Sequence, residues 1–314
     1  MSTSDAGTSG VTQGVMVFAE AKINLRLRIL AREASGFHTI ETIFHKLELA
    51  DTVELRLQPP TVRQLDCDGD VGPPEHNLAI RAAEAFLARS AWETGYTIRI
   101  RKQIPIGGGL GGGSADAGAT LRALNALAPA PLAPETLLEL AATLGADVPF
   151  LTADATMALA WGRGDRFLAL DPLPTRTVVL ITPGFGVPTV DAYGWLAAER
   201  QTDATSSSVA QASPRMMHPW HLANWGELGR WMVNDFTPVV ARHHSTVAPL
   251  ITALHDAGAS NAGMSGSGST LFGIFERAPD VSALRARVDE LSNGRGNVIV
   301  TRTAVGVSAV RGMD

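Results

Sequence analysis

Along the first stretch of the chain, Ile23, Leu25, Leu27 and Ile29 alternate with Lys22, Asn24, Arg26 and Arg28. That is the period of a β-strand with one buried face, and it predicts a strand over 15–30. A second alternating run covers 51–57, and a loop rich in Pro, Asp and Gly follows through Pro74. Asn77 is placed to cap a helix over 78–91, where Ala82, Ala85 and Phe86 recur at helical spacing. Tyr96, Ile98 and Ile100 then alternate with Thr97, Arg99 and Arg101 in a strand that runs straight into a glycine cluster. A helix over about 114–127 leaves that cluster, and another over about 134–144 stops at Gly145, a natural residue to follow a helix end.

Strand-like runs at 155–161 and 166–170 flank Gly162-Arg163-Gly164-Asp165, which reads as a hairpin turn, and 176–182 is a further strand. A short helix begins near Thr189. Residues 201–213 are almost entirely Gln, Ser, Thr, Asp and Ala and predict a mobile loop. Beyond it the periodicity predicts helices over 245–257 and 281–291 and strands over 270–275 and 297–305. Helices and strands are interspersed without a steady βαβ period, which predicts α+β architecture in two lobes, 1–165 and 166–314.

Composition narrows the function. With 26 basic and 31 acidic residues the net charge is −5, and no run of Lys and Arg exceeds two, so nothing marks the chain for nucleic acid or a membrane surface. The single cysteine, Cys67, excludes an internal disulfide or a cysteine metal cage and suits a reducing, cytoplasmic setting. Residues 1–14 are rich in Ser, Thr and Gly with no base, which predicts a disordered end rather than a targeting signal. No apolar run reaches the roughly 18 residues of a membrane-spanning helix.

Glycine is the anomaly: of 31 in the chain, six fall within 107–113 and four more within 258–268. In Pro105-Ile106-Gly107-Gly108-Gly109-Leu110-Gly111-Gly112-Gly113-Ser114 the missing Cβ atoms free the backbone to turn its amides toward an anion, and the helix that follows adds its positive end. A polyphosphate is the natural ligand. A Walker loop would need a lysine, a dinucleotide fold would need a parallel βαβ unit, and a protein kinase would need its downstream motifs. A flexible linker or tight packing turn remains open for a glycine run in general. Here the run joins a strand to a helix whose Leu121, Leu124 and Leu127 face a core. Asp116 in that helix would repel phosphate, so its side chain is expected to point away from a bound nucleotide.

The segment 105–118 resembles the phosphate-binding motif of the GHMP kinases, the superfamily of galactokinase, homoserine kinase and mevalonate kinase. Ala21-Lys22-Ile23-Asn24-Leu25, Gly36-Phe37-His38-Thr39-Ile40-Glu41-Thr42, Leu144-Gly145-Ala146-Asp147-Val148-Pro149-Phe150 and Asn261-Ala262-Gly263-Met264-Ser265-Gly266-Ser267-Gly268 narrow the resemblance. They are similar to the branch that phosphorylates 4-diphosphocytidyl-2-C-methyl-D-erythritol (CDP-methylerythritol), in the methylerythritol phosphate route to isoprenoid precursors.

The resemblance implies a two-lobed GHMP kinase fold, with an N-terminal ribosomal-protein-S5-like domain and a C-terminal ferredoxin-like α/β sandwich, using ATP and Mg²⁺. It implies that Asp147 and Lys22 are the catalytic pair. By spacing alone, Asp147 could equally cap a turn and Lys22 could be a solvated strand lysine. ATP would be held by Pro105, Gly107, Gly108, Gly109, Leu110, Gly111, Gly112, Gly113 and Ser114. Ser114 would meet phosphate or magnesium, and it could also serve as the helix N-cap. Asn77 would open a helix lining the adenine pocket or act only as a cap. The metal ligands stay unassigned.

For the acceptor, the resemblance implies Asn24, Phe37, His38, Tyr193, Gly266 and Ser267. A cytosine would be stacked between Phe37 and His38 on one side and Tyr193 on the other, at about 1–3 kcal/mol per stacked base. Phe37 stands where the family commonly has Tyr, which keeps the stacking surface and removes a hydroxyl. The second glycine cluster would be another wall of the same site, or simply a tight hairpin. A small-molecule substrate and a monomer or homodimer complete the expectation. Homoserine or mevalonate kinase activity, and a non-catalytic nucleotide sensor on the same fold, are the alternatives.

Overall fold

The computed structural model describes residues 13–33, 38–69, 72–205 and 217–313. The first part of the chain forms β1 (Gly14–Arg32), β2 (His38–Gln58), β3 (Arg63–Cys67), α1 (Leu78–Ser90), β4 (Gly95–Arg101), α2 (Gly112–Leu127), α3 (Pro134–Ala142), α4 (Val148–Thr152), β5 (Met157–Gly162) and β6 (Arg166–Leu170). The remainder forms β7 (Thr177–Thr182), α5 (Thr189–Thr205), α6 (Trp225–Gly229), β8 (Val233–Asn234), α7 (Phe236–His243), α8 (Val247–Asp256), β9 (Asn261–Met264), β10 (Leu271–Phe275), α9 (Val281–Ser292), β11 (Asn297–Arg302) and β12 (Arg311–Met313).

Two sheets organise these elements, as the interspersed α+β pattern predicts. The larger has eight strands, with the order β12-β1-β2-β4-β3 and with β5, β6 and β8 attached through β2 and β1. The smaller is a four-stranded antiparallel sheet, β11-β7-β10-β9. β6 stays paired with β5, and β8 and β12 return to β1, so the larger sheet draws strands from both sides of residue 165. The two core clusters meet along β1 and β2: Ile23, Leu25 and Phe44 belong to one, and Leu27, Ile29 and Ile40 to the other.

Several local expectations change. Residues 63–67, read as loop, form an edge strand parallel to β4; Arg63, Gln64 and Asp66 are exposed and only Leu65 and Cys67 pack inward, too short an alternation to announce it. α3 ends at Ala142 with Thr143 as its cap, so Gly145 is not the left-handed residue after the helix. Residues 201–205, assigned to a mobile loop, extend α5, and the rest of that loop lies outside the described residues. The predicted disorder of residues 1–14 also falls outside them, except that Gln13 is described and Gly14 begins β1. Among the described residues no helix is long and apolar enough to cross a membrane.

The core carries an acid-sensitive group. His45 on β2 is fully buried, with Nδ1 bonded to the Lys46 carbonyl at 2.8 Å and its ring against Trp225. Burial holds its pKa near 4, against 6.5 in the unfolded chain. The unfolded state therefore binds more protons as pH falls from 6.5 toward 4, and stability is lost through that window, by up to roughly 3 kcal/mol from this group. Urea midpoints at pH 7 and pH 5 are expected to differ less in His45→Phe than in the parent protein; equal differences would remove His45 from this role.

Candidate active site

The glycine cluster bridges β4 and α2. Gly107, Gly109 and Gly111 have φ of +73°, +78° and +75°, and the loop is pressed between elements from both sheets. A Cβ on Gly109 would stand 2.3 Å from the Ser265 carbonyl oxygen, and one on Gly108 would stand 2.4 Å from Thr270 Oγ1. At Gly111 the tight neighbours are Leu151 Cδ1 and the methylene stem of Lys22, each at 3.1 Å. Gly107 is different: nothing lies within 4 Å, and the backbone there faces open space.

α2 starts at Gly112, with Gly111 as an N-cap that offers no side-chain oxygen to the first-turn amides. Ser114, expected as that cap, lies instead within the first turn. The uncapped amides border a cavity of about 210 Å³ lined by Asn77, Lys102, Pro105, Gly107, Gly113 and Asp116. Asn77 both caps α1, accepting from Ala79 N at 2.9 Å, and lines this cavity. Unsatisfied donors at a helix N-terminus make an anion site.

Asp116 is buried at the inner edge of the cavity and turned onto Lys102, whose Nζ lies 2.7 Å from Oδ2. The same Nζ donates to Asp51 at 2.5 Å, and Asp51 Oδ1 accepts the backbone amides of Gln103 and Ile104. Burial pushes the Asp116 carboxyl up to about 7, partly offset by the Lys102 charge. Its carboxyl is thus paired with Lys102 at the cavity wall. Nothing in the sequence pattern marked Lys102 or Asp51.

Lys22 and Asp147 meet. Lys22 Nζ lies 3.2 Å from Asp147 Oδ2 and donates to Asn24 Oδ1 at 2.7 Å, while the Lys22 amide donates to the Leu110 carbonyl at 2.9 Å. The strand periodicity put Lys22 and Asn24 on a polar face; that face is covered by the glycine loop and the β9–β10 turn, leaving each only 3% exposed. Pairing register shifts around Ala21 and Leu25, so β1 is irregular where these side chains are presented. Asp147 precedes α4 and its side chain makes no capping bond, so the carboxylate is not used as a helix cap.

The second glycine cluster is both of the things it could have been. It is the turn between β9 and β10, and it is wedged against the first cluster: Ser265 Oγ donates to the Gly109 carbonyl at 2.9 Å and Thr270 N to that of Gly108 at 3.2 Å. Gly266 N donates to Asn24 Oδ1 at 3.0 Å, and Asn24 Nδ2 donates to Thr42 Oγ1. Ser267 Oγ lies 3.0 Å from Thr189 Oγ1 at the start of α5. Asn234 fixes the turn from beneath, with Nδ2 on the carbonyls of Met264 and Gly266 at 2.7 and 2.8 Å. Only the fold reveals these partners of Asn234.

Beside Asp147 opens a larger cavity of about 870 Å³, lined by His38, Gly145, Ala146, Arg163, Thr189 and Tyr193 among others. The His38 and Tyr193 rings stack on each other at 4.5 Å with 19° between planes, and Phe236 meets Tyr193 edge-on. Burial, with a smaller push from the Asp147 charge, raises the Tyr193 phenol, so this ring and the carboxylate share one environment. A base between His38 and Tyr193 would need a gap of roughly 7 Å, two van der Waals layers, so the rings must part to admit it. Phe37 lies outside the described residues.

Fold and site together define a GHMP kinase: the family model for the GHMP kinases N terminal domain matches residues 77–155, and that for the GHMP kinases C terminal matches 221–293. Among relatives named 4-diphosphocytidyl-2-C-methyl-D-erythritol kinase, that of Pelotomaculum thermopropionicum is 38% identical over 293 residues, covering 92% of this chain and 98% of its own. That of Desulfotalea psychrophila is 37% identical over 263 residues, covering 83% and 85%. A crystal structure of 4-(cytidine 5'-diphospho)-2C-methyl-D-erythritol kinase superimposes with a TM-score of 0.70 at 32% identity, over 92% of this chain and 99% of that one. Homoserine kinase from Cytophaga hutchinsonii shares the fold, with a TM-score of 0.66 at 18% identity. The chain belongs to the 4-diphosphocytidyl-2-C-methyl-D-erythritol kinase family.

Proposed function

We propose that this chain transfers the γ-phosphoryl group of ATP to the 2-hydroxyl of 4-diphosphocytidyl-2-C-methyl-D-erythritol, with Asp147 as the base. The observation that carries this is the Lys22–Asp147 contact at 3.2 Å, set between the glycine loop and the larger cavity. Phosphoryl transfer needs the nucleotide fixed by its phosphates, its charge offset, and a group to take the hydroxyl proton. Asp147 is partly exposed and makes no capping bond, so its carboxylate can accept that proton. Lys22, held by Asn24, orients the carboxylate and offsets charge on the transferring oxygens.

The phosphates of ATP would enter the smaller cavity, where the first-turn amides of α2 have no side-chain cap and Gly107 faces open space. The amides of 107–113 and Ser114 would hold its phosphates, with Asn77 toward the nucleoside. Among the described residues no three His, Cys, Asp or Glu side chains converge as a metal cage. Mg²⁺ would be held mainly by phosphate oxygens, with the Ser114 hydroxyl as a candidate protein ligand, and would supply charge neutralisation. The composition fits a cytoplasmic enzyme. His38 and Tyr193 favour a cytidine-bearing acceptor over homoserine or mevalonate, which have no ring to stack.

A coupled ADP-release assay checks the acceptor. ADP release is expected with 4-diphosphocytidyl-2-C-methyl-D-erythritol and not with homoserine or mevalonate; the reverse preference would move the chain to another branch of the superfamily.

A further inference from the structure

We infer that Asp235 is a positioning residue for the acceptor: through Arg200 it fixes α5, and with it Tyr193 and Thr189, beside the larger cavity. The inference rests on the proposed function and deepens it.

Asp235 follows β8 and precedes α7, a position where aspartate commonly caps the helix, yet its side chain makes no capping bond there. It turns back onto β1 instead. The parallel pairing of β8 with β1 ends at Leu27 and Asn234, and the Asp235 amide still donates to the Leu27 carbonyl at 3.0 Å. One step on, side chains take over from the backbone. The Ile29 amide donates to Asp235 Oδ2 at 2.9 Å, and the Ile29 carbonyl accepts from Arg200 Nη2 at 2.7 Å. Arg200 Nη2 also donates to Asp235 Oδ2 at 3.1 Å, and Arg28 Nε lies 3.3 Å from Oδ1, so both oxygens of this largely buried carboxylate are in use. The Asp235–Arg200 pair thus stands where a further strand residue would, and it fastens α5 to β1, the strand that carries Lys22 and Asn24.

α5 depends on such a fastening. Among its described side chains only Ala192 and Leu196 are buried, so apolar packing alone holds it weakly. Helical spacing puts Arg200 on the same face as Tyr193, two turns and about 10 Å further along the axis. Tyr193 stacks on His38 in the cavity, and Thr189, which also lines it, meets Ser267. Glu199 and Trp195 engage Arg242 and His243 of α7, whereas Arg200 sets the place of α5 relative to β1. The neighbouring Asn234 points the other way, to the β9–β10 turn that clamps the glycine loop. Loosening Asp235 therefore shifts Tyr193 and Thr189 against Asp147 and spares the nucleotide side.

The test is steady-state kinetics with urea unfolding on Arg200→Ala, Asp235→Asn and the double variant. Arg200 is partly exposed, so its truncation leaves the core intact. Each single substitution is expected to raise KM for 4-diphosphocytidyl-2-C-methyl-D-erythritol by roughly 5- to 20-fold, the worth of charge-assisted hydrogen bonds in a partly exposed pair. KM for ATP and kcat at saturation are expected to stay within about twofold of the parent, the pattern of lost binding rather than lost chemistry. Because the two residues act as one unit, the double variant is expected to bind the acceptor no worse than the poorer single one. If the pair only braces the fold, urea midpoints will fall while the two KM values hold or rise alike, and either result overturns the inference. Multiplied losses in the double variant overturn it too. A parent enzyme that releases no ADP with this acceptor refutes the proposed function, and the inference with it; a parent that does, matched by Arg200→Ala, refutes the inference alone.

Discussion

Asp147→Asn is expected to lower turnover by about 10²- to 10⁴-fold, the usual worth of a general base, while leaving ATP affinity near that of the parent. The substitution keeps the shape of the side chain and its place ahead of α4, and no capping bond is lost because the carboxylate makes none. It removes the negative charge facing Lys22 Nζ, which remains tied to Asn24. Single-turnover kinetics separate the chemical step from product release, and equilibrium nucleotide binding supplies the control. An Asp147→Asn enzyme with unchanged turnover would take Asp147 out of the reaction. Lost turnover with equally lost ATP binding would make it a structural residue of the nucleotide cleft.

Gly109→Ala is expected to have the second largest effect, because two costs coincide. The backbone sits at φ +78°, and the added Cβ would stand 2.3 Å from the Ser265 carbonyl oxygen, so the loop and the β9–β10 turn must separate. A left-handed alanine costs about 1–2 kcal/mol and the overpacking about 1–3 more, giving a loss of stability of roughly 2–5 kcal/mol. A displacement of the phosphate loop by about 1 Å would cost a further 10²-fold in kcat/KM for ATP. Gly107→Ala isolates the first cost, since Gly107 has φ +73° with nothing within 4 Å. Denaturant midpoints should fall further for Gly109→Ala than for Gly107→Ala; equal losses would mean that the contact between the two glycine turns does not constrain the loop.

What the sequence made legible follows from how local each signal is. The strand carrying Lys22 and the helix after the glycine cluster were readable because a face of β1 and a face of α2 repeat with the right period, and the turn ahead of α2 because its glycines supply the positive φ it adopts. The same period could not say that the polar face of β1 would be covered, since its cover comes from the 265–270 turn and the glycine loop, far off in sequence. As a cap, Ser114 misled by three residues because the glycine N-cap, Gly111, leaves no side-chain signature. Lys102, Asp51 and Asn234 were silent for one reason: each acts through a partner that only the fold supplies. Spacing alone left Asp147 open between turn cap and base, and the geometry now sets that carboxylate against Lys22 rather than against a helix amide.

On the proposed function, the glycine turns, the Lys22–Asp147 pair and the Tyr193 cavity would together receive a nucleotide on one side of Asp147 and a cytidine-bearing alcohol on the other. Product analysis tests this most directly. After incubation with MgATP and 4-diphosphocytidyl-2-C-methyl-D-erythritol, phosphorus and carbon NMR should find ADP and a single new phosphomonoester on the 2-hydroxyl, its diphosphate intact. Phosphate on another hydroxyl, cleavage of the diphosphate, or transfer only to homoserine or mevalonate would contradict it.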